Sequence, residues 1–121
     1  MSHKRPRSIG VKRQAGAPVF AALGDATRLS LVAKLSGGQP YSISQLTRGS
    51  KLTRQAITKH LRVLENVGIV HGRRTGRESR FQFDPKPIEE MTKYLDFVSK
   101  QWDQALSRLK SFVEDGVLRV R

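Results

Sequence analysis

Polar and cationic side chains recur at helical spacing between residues 52 and 68. One side of a helix drawn over this stretch carries Arg54, Gln55, Thr58, Lys59 and Arg62. The other side carries Ile57, Leu61 and Leu64, spaced four and three residues apart. Amides and hydroxyls can bond to base edges, and cations can bond to phosphates and guanine. The pattern therefore predicts an amphipathic helix whose outward face contacts nucleic acid.

The positive charge of the chain is concentrated in two segments. Lys and Arg number 23 against 10 Asp and Glu, a formal net charge of +13. Residues 1–16 carry five cations and no anions, and residues 51–80 carry eight cations against two anions, whereas residues 81–115 carry five cations against seven anions. This distribution favours a polyanionic partner that binds a defined face.

Composition excludes several classes of protein. The chain has no cysteine, which rules out disulfides and thiolate metal sites. It has no apolar run near the roughly 20 residues of a membrane span and no signal-peptide pattern, so we expect no membrane partner and a cytoplasmic location. An enzyme is disfavoured because the chain has no Cys nucleophile, Gly-rich phosphate loop or His–carboxylate pair at active-site spacing.

The elements before the polar helix are predicted from caps and breakers. Residues 1–16 suggest a disordered basic tail, either merely solvated or acting as an arm that contacts DNA. A helix over residues 17–23 ends at Gly24, and Asp25 can cap the next helix, residues 26–36. The residues expected to face the core are Val19, Phe20, Leu23, Leu29, Val32 and Leu35.

A helix-turn-helix is predicted from two further caps. Pro40-Tyr41 is extended and can supply a short strand, and Ser42 with Gln45 forms a capping box for a short third helix that ends at Gly49. Thr53 then caps the polar helix. A short helix, a glycine-containing turn and a longer helix with a cationic face are typical of this motif.

A basic hairpin follows. Phe81 and Phe83 alternate with polar residues, as expected for a strand with one buried face, and Thr75-Gly76 is a plausible turn. Arginines near the tip suit a narrow minor groove, so the hairpin is predicted to be a wing; the alternative is a merely solvated hairpin. The arginines assigned to the wing contact are Arg73, Arg74 and Arg77.

A long apolar stripe ends the chain. After Pro87, apolar residues recur every three or four positions from Ile88 to about Glu114, which predicts a helix roughly 40 Å long. A small domain cannot cover such a helix alone, so a two-fold homodimer is predicted; the alternative is packing on its own chain. Residues 116–121 are expected to be a tail. The predicted dimer interface comprises Phe20, Met91, Leu95, Val98, Trp102, Leu106 and Leu109.

Four segments together resemble the ArsR/SmtB family of bacterial winged-helix repressors: residues 20–28 (FAALGDATR), 57–64 (ITKHLRVL), 68–70 (GIV) and 76–78 (GRE). The resemblance covers about residues 17–114. It implies a homodimer with helices from both ends of the chain in the interface. It also implies repression from an imperfect palindrome in a promoter.

The chain departs from the family where some members bind metal. Ser42-Ile43-Ser44-Gln45 stands where metal sensors carry a Cys-x-Cys site, and the last helix lacks the histidines that other members use. His60 is expected to be a hydrogen-bonded structural residue. We therefore expect no metal and no cofactor, as in the non-metal-sensing branch, with any small-molecule effector unknown.

These observations predict a mainly α protein with a small β-hairpin: a winged helix-turn-helix over residues 17–115 with a long C-terminal dimerisation helix. The predicted function is a sequence-specific transcriptional regulator that binds double-stranded DNA, with a homodimeric repressor at a palindromic promoter site as the favoured form. The alternatives are an RNA- or ribosome-associated winged-helix module and a transcriptional activator.

Overall fold

A computed structural model of the chain describes the backbone of residues 9–120 and the side chains of residues 16–116. These residues form five helices and three short strands in the order of a winged helix-turn-helix, which confirms the predicted fold class. The elements are α1 (Ile9–Leu23), α2 (Ala26–Leu35), β1 (Tyr41–Ser42), α3 (Ile43–Thr47), α4 (Arg54–Asn66), β2 (Val70–Thr75), β3 (Glu78–Phe83) and α5 (Lys86–Val120).

Helix α1 begins at Ile9, eight residues before the predicted start. Its interior contains Pro18, which removes one backbone hydrogen bond, but the surrounding alanines favour a helix. The predicted tail therefore overlaps a helix at residues 9–16, and its residues 1–8 lie outside the described part of the chain.

The local caps between α1 and α4 follow the sequence prediction. The Asp25 carboxylate accepts the backbone N–H of Arg28 at 3.0 Å. Ser42 and Gln45 bond reciprocally, with the Gln45 N–H 3.1 Å from the Ser42 hydroxyl and the Ser42 N–H 2.8 Å from the Gln45 amide oxygen. These bonds satisfy backbone donors that would otherwise be unpaired at the starts of α2 and α3.

The core of the described chain is built from one side of each helix and the inner face of the sheet, and its members lie between Val19 and Met91. The prediction for α2 was wrong at one position, because Leu29 is 52% exposed and Leu31 is buried instead. Leu31 and Leu35 lie one turn apart and form the buried ridge of α2. The buried apolar residues are Val19, Ala22, Leu31, Leu35, Leu46, Ile57, Leu61, Leu64, Ile69, Val70, Phe81 and Met91.

The predicted hairpin is part of a three-stranded antiparallel sheet, in the order β1-β3-β2. Tyr41 pairs with Phe81, which confirms the short strand expected near Pro40. The β2–β3 loop consists of Gly76 and Arg77, since Thr75 pairs directly with Glu78. Gly76 has a φ of 64°, whereas Arg77, like every other described residue that is not glycine, has a negative φ. This is the pattern of a two-residue hairpin turn with glycine in its first position.

The chain divides into two compact units after Met91, a position within α5. Met91, which was assigned to the dimer interface, is a buried member of the core of the first unit. Between residues 92 and 116 every residue is exposed except Ala105 and Gly116, which are half-buried. Within residues 9–120 no helix has the length and apolar character needed to cross a membrane.

Candidate nucleic-acid interface

Helix α4 is held by its apolar side and presents its polar side to solvent. Ile57, Leu61 and Leu64 are each 2% exposed or less, and the Thr53 hydroxyl caps the helix by accepting the N–H of Ala56 at 3.1 Å. The predicted sides of the helix are therefore correct. The exposed members of the predicted contact set on α4 are Arg54, Gln55, Lys59 and Arg62.

Arg54 is tied to the preceding helix. Its guanidinium donates to the Ser44 hydroxyl on α3 at 2.6 Å. A guanidinium has five donors, so this bond fixes the direction of the side chain and leaves donors for an anion. Ser44 was absent from the predicted site because nothing in the sequence spacing links residues ten positions apart across a turn.

The Thr58 hydroxyl can act toward a ligand only as a hydrogen-bond acceptor, whereas its residue type allows it to donate as well. The residue is half-buried, and its hydroxyl donates to the Arg54 backbone carbonyl at 2.7 Å. The single hydroxyl proton is therefore used within the helix, and the oxygen remains an acceptor. In the major groove such an oxygen suits the amino group of adenine or cytosine.

The wing is attached closely to α4. The Glu65 carboxylate of α4 accepts the backbone N–H of Gly72 on β2 at 3.2 Å. A Cβ atom at position 72 would lie 2.9 Å from the Phe81 ring and 3.1 Å from the Glu65 carboxylate. Only glycine permits this approach without rearrangement, so the contact sets the position of the wing relative to the polar helix.

The outer face of the wing carries directly opposed arginines. Arg73 pairs across the strands with Arg80, an arrangement that is unfavourable without an anion nearby. One counterion is present, since the Arg80 Nε lies 3.2 Å from the Glu78 carboxylate. The predicted wing residues Arg73, Arg74 and Arg77 are all exposed. Arg80 was not among the predicted wing residues. Its pairing with Arg73 depends on which residues form the turn, and the sequence did not specify them.

His60 lies at a junction of three helices. Its Nδ1 is 3.2 Å from a guanidinium nitrogen of Arg28 and 3.8 Å from the Asp25 carboxylate. The Arg28 Nε also donates to the backbone carbonyl of Ala22 at the end of α1. The backbone N–H of Arg28, followed by the charges of Arg28 and His60, lowers the pKa of Asp25 despite the opposing effect of burial. His60 is hydrogen-bonded within the fold, as predicted.

The other described histidine is at the base of the wing. The His71 Nε2 lies 2.8 Å from the Asp84 carboxylate. The backbone N–H of Lys86 lowers the pKa of Asp84, and the hydrogen bond from His71 adds to this effect. Within residues 16–116 no group of three or more His, Asp or Glu side chains is arranged to hold a metal ion.

The sequence of the chain is similar to bacterial transcriptional regulators. The family profile for "Bacterial regulatory protein, arsR family" matches residues 25–71. The uncharacterized HTH-type transcriptional regulator YuzN of Bacillus subtilis is 36% identical over 81 residues, which are 62% of this chain and 88% of YuzN.

Solved structures of transcriptional regulators share the fold of this chain. An ArsR-like transcriptional regulator from Rhodococcus sp. RHA1 aligns with a TM-score of 0.73 and 32% identity, over 86% of this chain and 96% of that chain. The homodimeric winged helix-turn-helix DNA-binding domain of Mb0332 from Mycobacterium bovis shares the fold, with a TM-score of 0.62 and 16% identity over 83% of this chain and 92% of that chain. The chain therefore belongs to the arsR family of winged helix-turn-helix proteins and is a DNA-binding transcriptional regulator rather than an enzyme.

Proposed function

We propose that this regulator is a homodimeric repressor that binds a palindromic promoter site. The observation that carries the proposal is the apolar stripe of α5, whose large side chains stand exposed in the single chain. Exposed apolar surface on this scale marks an interaction site. A second copy of the same helix is a partner with matching chemistry, and two-fold symmetry then requires a palindrome in the DNA.

The dimer interface is proposed to follow this stripe. Trp102 is the most exposed of its predicted members, at 63%, and tryptophan is a frequent anchor of protein interfaces. Phe20 is the proposed contribution of α1. Met91 lies at the start of the stripe but is buried in the core of its own chain. The homodimeric state of the Mycobacterium bovis domain agrees with this assembly. The proposed α5 contacts are Leu95, Val98, Trp102, Leu106 and Leu109.

DNA contacts are proposed to divide between α4 and the wing. Gln55 and Thr58 would contact base edges, because an amide pairs bidentately with adenine and the Thr58 oxygen is an acceptor. Lys59 and Arg62 would share phosphate and guanine contacts, joined by Arg54 as oriented by Ser44. On the wing, Arg73, Arg74 and Arg77 would follow the minor groove.

The signal that releases the protein is proposed not to be a metal. The chain has no cysteine, so the thiolate site of some members is impossible, and both described histidines already have hydrogen-bond partners. We further propose a cytoplasmic location, since a regulator of a bacterial promoter acts where the chromosome lies.

Sedimentation velocity and footprinting test this proposal together. We expect a dimer at micromolar concentration that protects two half-sites about one helical turn apart. A monomer, or protection of one half-site, would contradict the dimer and the palindrome. Transcription in vitro from the protected promoter should fall on adding the protein; a rise would identify an activator, and preference for RNA over the duplex would identify an RNA-binding module.

A further inference from the structure

Arg28 joins three helices through one guanidinium. It donates from Nε to the Ala22 carbonyl at the end of α1 and from a terminal nitrogen to His60 on α4. Its own backbone N–H is held by Asp25, the cap of α2. The last carbonyl groups of a helix lack partners within the helix, so Arg28 satisfies one of them while it holds the DNA-contacting helix.

The contact between Arg28 and His60 is a hydrogen bond in only one protonation state of the imidazole. A guanidinium carries only donors and stays charged. For this contact to be a hydrogen bond, the His60 Nδ1, 3.2 Å from the guanidinium nitrogen, must accept, which requires a neutral ring with its proton on Nε2. A protonated ring would turn an N–H toward the guanidinium and lose the bond.

We propose that Arg28 and neutral His60 are positioning residues that set α4 against the end of α1, so that protonation of His60 weakens DNA binding. The proposal rests on the proposed use of α4 as the DNA-contacting helix. Once protonated, Nδ1 has the Asp25 carboxylate, now 3.8 Å away, as its remaining partner. Pairing with Asp25 would release Arg28 from α4.

Few other charged groups near His60 could offset the effect of its protonation on DNA binding. From α2 it faces Arg28 and Asp25. The described part of α1 has no charged side chain, since residues 16–23 are all uncharged. On α4 itself Lys59 and Arg62 are exposed, and Glu65 is engaged with Gly72 on β2. His71, the other described histidine, is paired with Asp84.

The test compares the pH dependence of DNA affinity in the full chain and in His60→Gln. Gln offers an amide oxygen that accepts from Arg28 and does not titrate. The probe is a duplex selected by the wild-type protein from a random library. Between about pH 7.5 and about pH 5.5, where histidine changes charge, we expect wild-type affinity to fall about tenfold relative to H60Q. His71→Gln is the matched control and should follow the wild type.

Parallel pH profiles for the wild type and H60Q would overturn the inference. Nitrogen NMR of the imidazole gives an independent test, because a proton on Nδ1 near pH 7.5 would also overturn it. Arg28→Lys, with helix content checked by circular dichroism, should weaken binding and flatten the pH dependence. If Gln55→Ala alters binding while these profiles stay parallel, the junction inference alone fails. If Gln55→Ala also has no effect, the proposed use of α4 fails.

Discussion

Helices α4 and α5 have the same kind of apolar pattern but different surroundings. In α4 the residues spaced three and four positions apart are covered by the chain itself, and Leu61 and Leu64 are fully buried. In α5, between residues 92 and 116, the same spacing leaves Leu95 at 49%, Trp102 at 63% and Phe112 at 72% exposed. One stripe is part of a core and the other is open surface.

The difference shows what periodicity can and cannot specify. Spacing determines which side of a helix is apolar, but the rest of the fold determines what covers that side. Each covered side chain of α4 stabilises the fold by roughly 1.5–3 kcal/mol. Between residues 92 and 116 the large apolar side chains of α5 have no such coverage in the single chain. In the proposed dimer, association would cover them.

The largest expected effect is the loss of a covered leucine. Leu61→Ala should lower the free energy of unfolding by about 2–5 kcal/mol, because it leaves a cavity in a fully buried site. Leu109→Ala on α5, at 57% exposure, is the matched control. At concentrations low enough for a monomer it should change stability by less than about 0.5 kcal/mol. Urea unfolding measures both, and equal losses would remove the contrast between the helices.

A charge placed in the open stripe should act on association instead of folding. Leu106→Glu should raise the dimer dissociation constant by about a hundredfold or more, because the carboxylate would be desolvated in the interface. Gln104→Glu adds the same charge to an exposed position of the same helix outside the stripe and should remain dimeric. Sedimentation velocity distinguishes them. Equal dissociation constants for the two variants would place the interface elsewhere.

The sequence was sufficient where the interactions are local. The caps at Asp25, Ser42 and Thr53 involve residues no more than three positions apart, so residue type and spacing predict them. Positions that depend on packing were not predictable in this way. Leu29 and Leu31 are the same residue type, and only the placement of α2 determines which one is buried.

In the candidate site too, features set by local spacing were predictable and features set by tertiary packing were not. The outward face of α4 follows from helical geometry alone. The pairing of Arg73 with Arg80 depends on a turn whose register the sequence left open, and the bond between Ser44 and Arg54 depends on the angle of two helices. Met91 belongs to the same stripe as Leu95 but lies in the core, because periodicity does not locate the point where a covered helix becomes exposed.

The next largest effect is expected on DNA affinity and base preference. It should occur for polar residues of α4 and not for those of α5. Gln55→Ala should weaken binding to the selected duplex by about 1–3 kcal/mol and relax specificity at one base pair, as expected for a lost bidentate contact. Lys59→Ala should instead weaken binding to all sequences and reduce the salt slope by about one. Competition binding against single-base variants measures both.

Gln104→Ala on α5 is the control for the glutamine, since it removes an exposed amide from a helix with no proposed DNA contact. Its affinity and base preference should equal those of the wild type. If Gln55→Ala also kept the wild-type preference, the assigned orientation of α4 on DNA would be wrong.

The smallest expected effect separates the cap of α4 from its packing. Thr53→Ala removes the acceptor of the Ala56 N–H and should lower the free energy of unfolding by about 1 kcal/mol. This loss should be smaller than that of Leu61→Ala, because a cap acts on one turn whereas a buried leucine is shared by the whole core. If Thr53→Ala cost as much as Leu61→Ala in urea unfolding, the stability of α4 would depend on its first turn. The coverage of its apolar side would then no longer explain how it differs from α5.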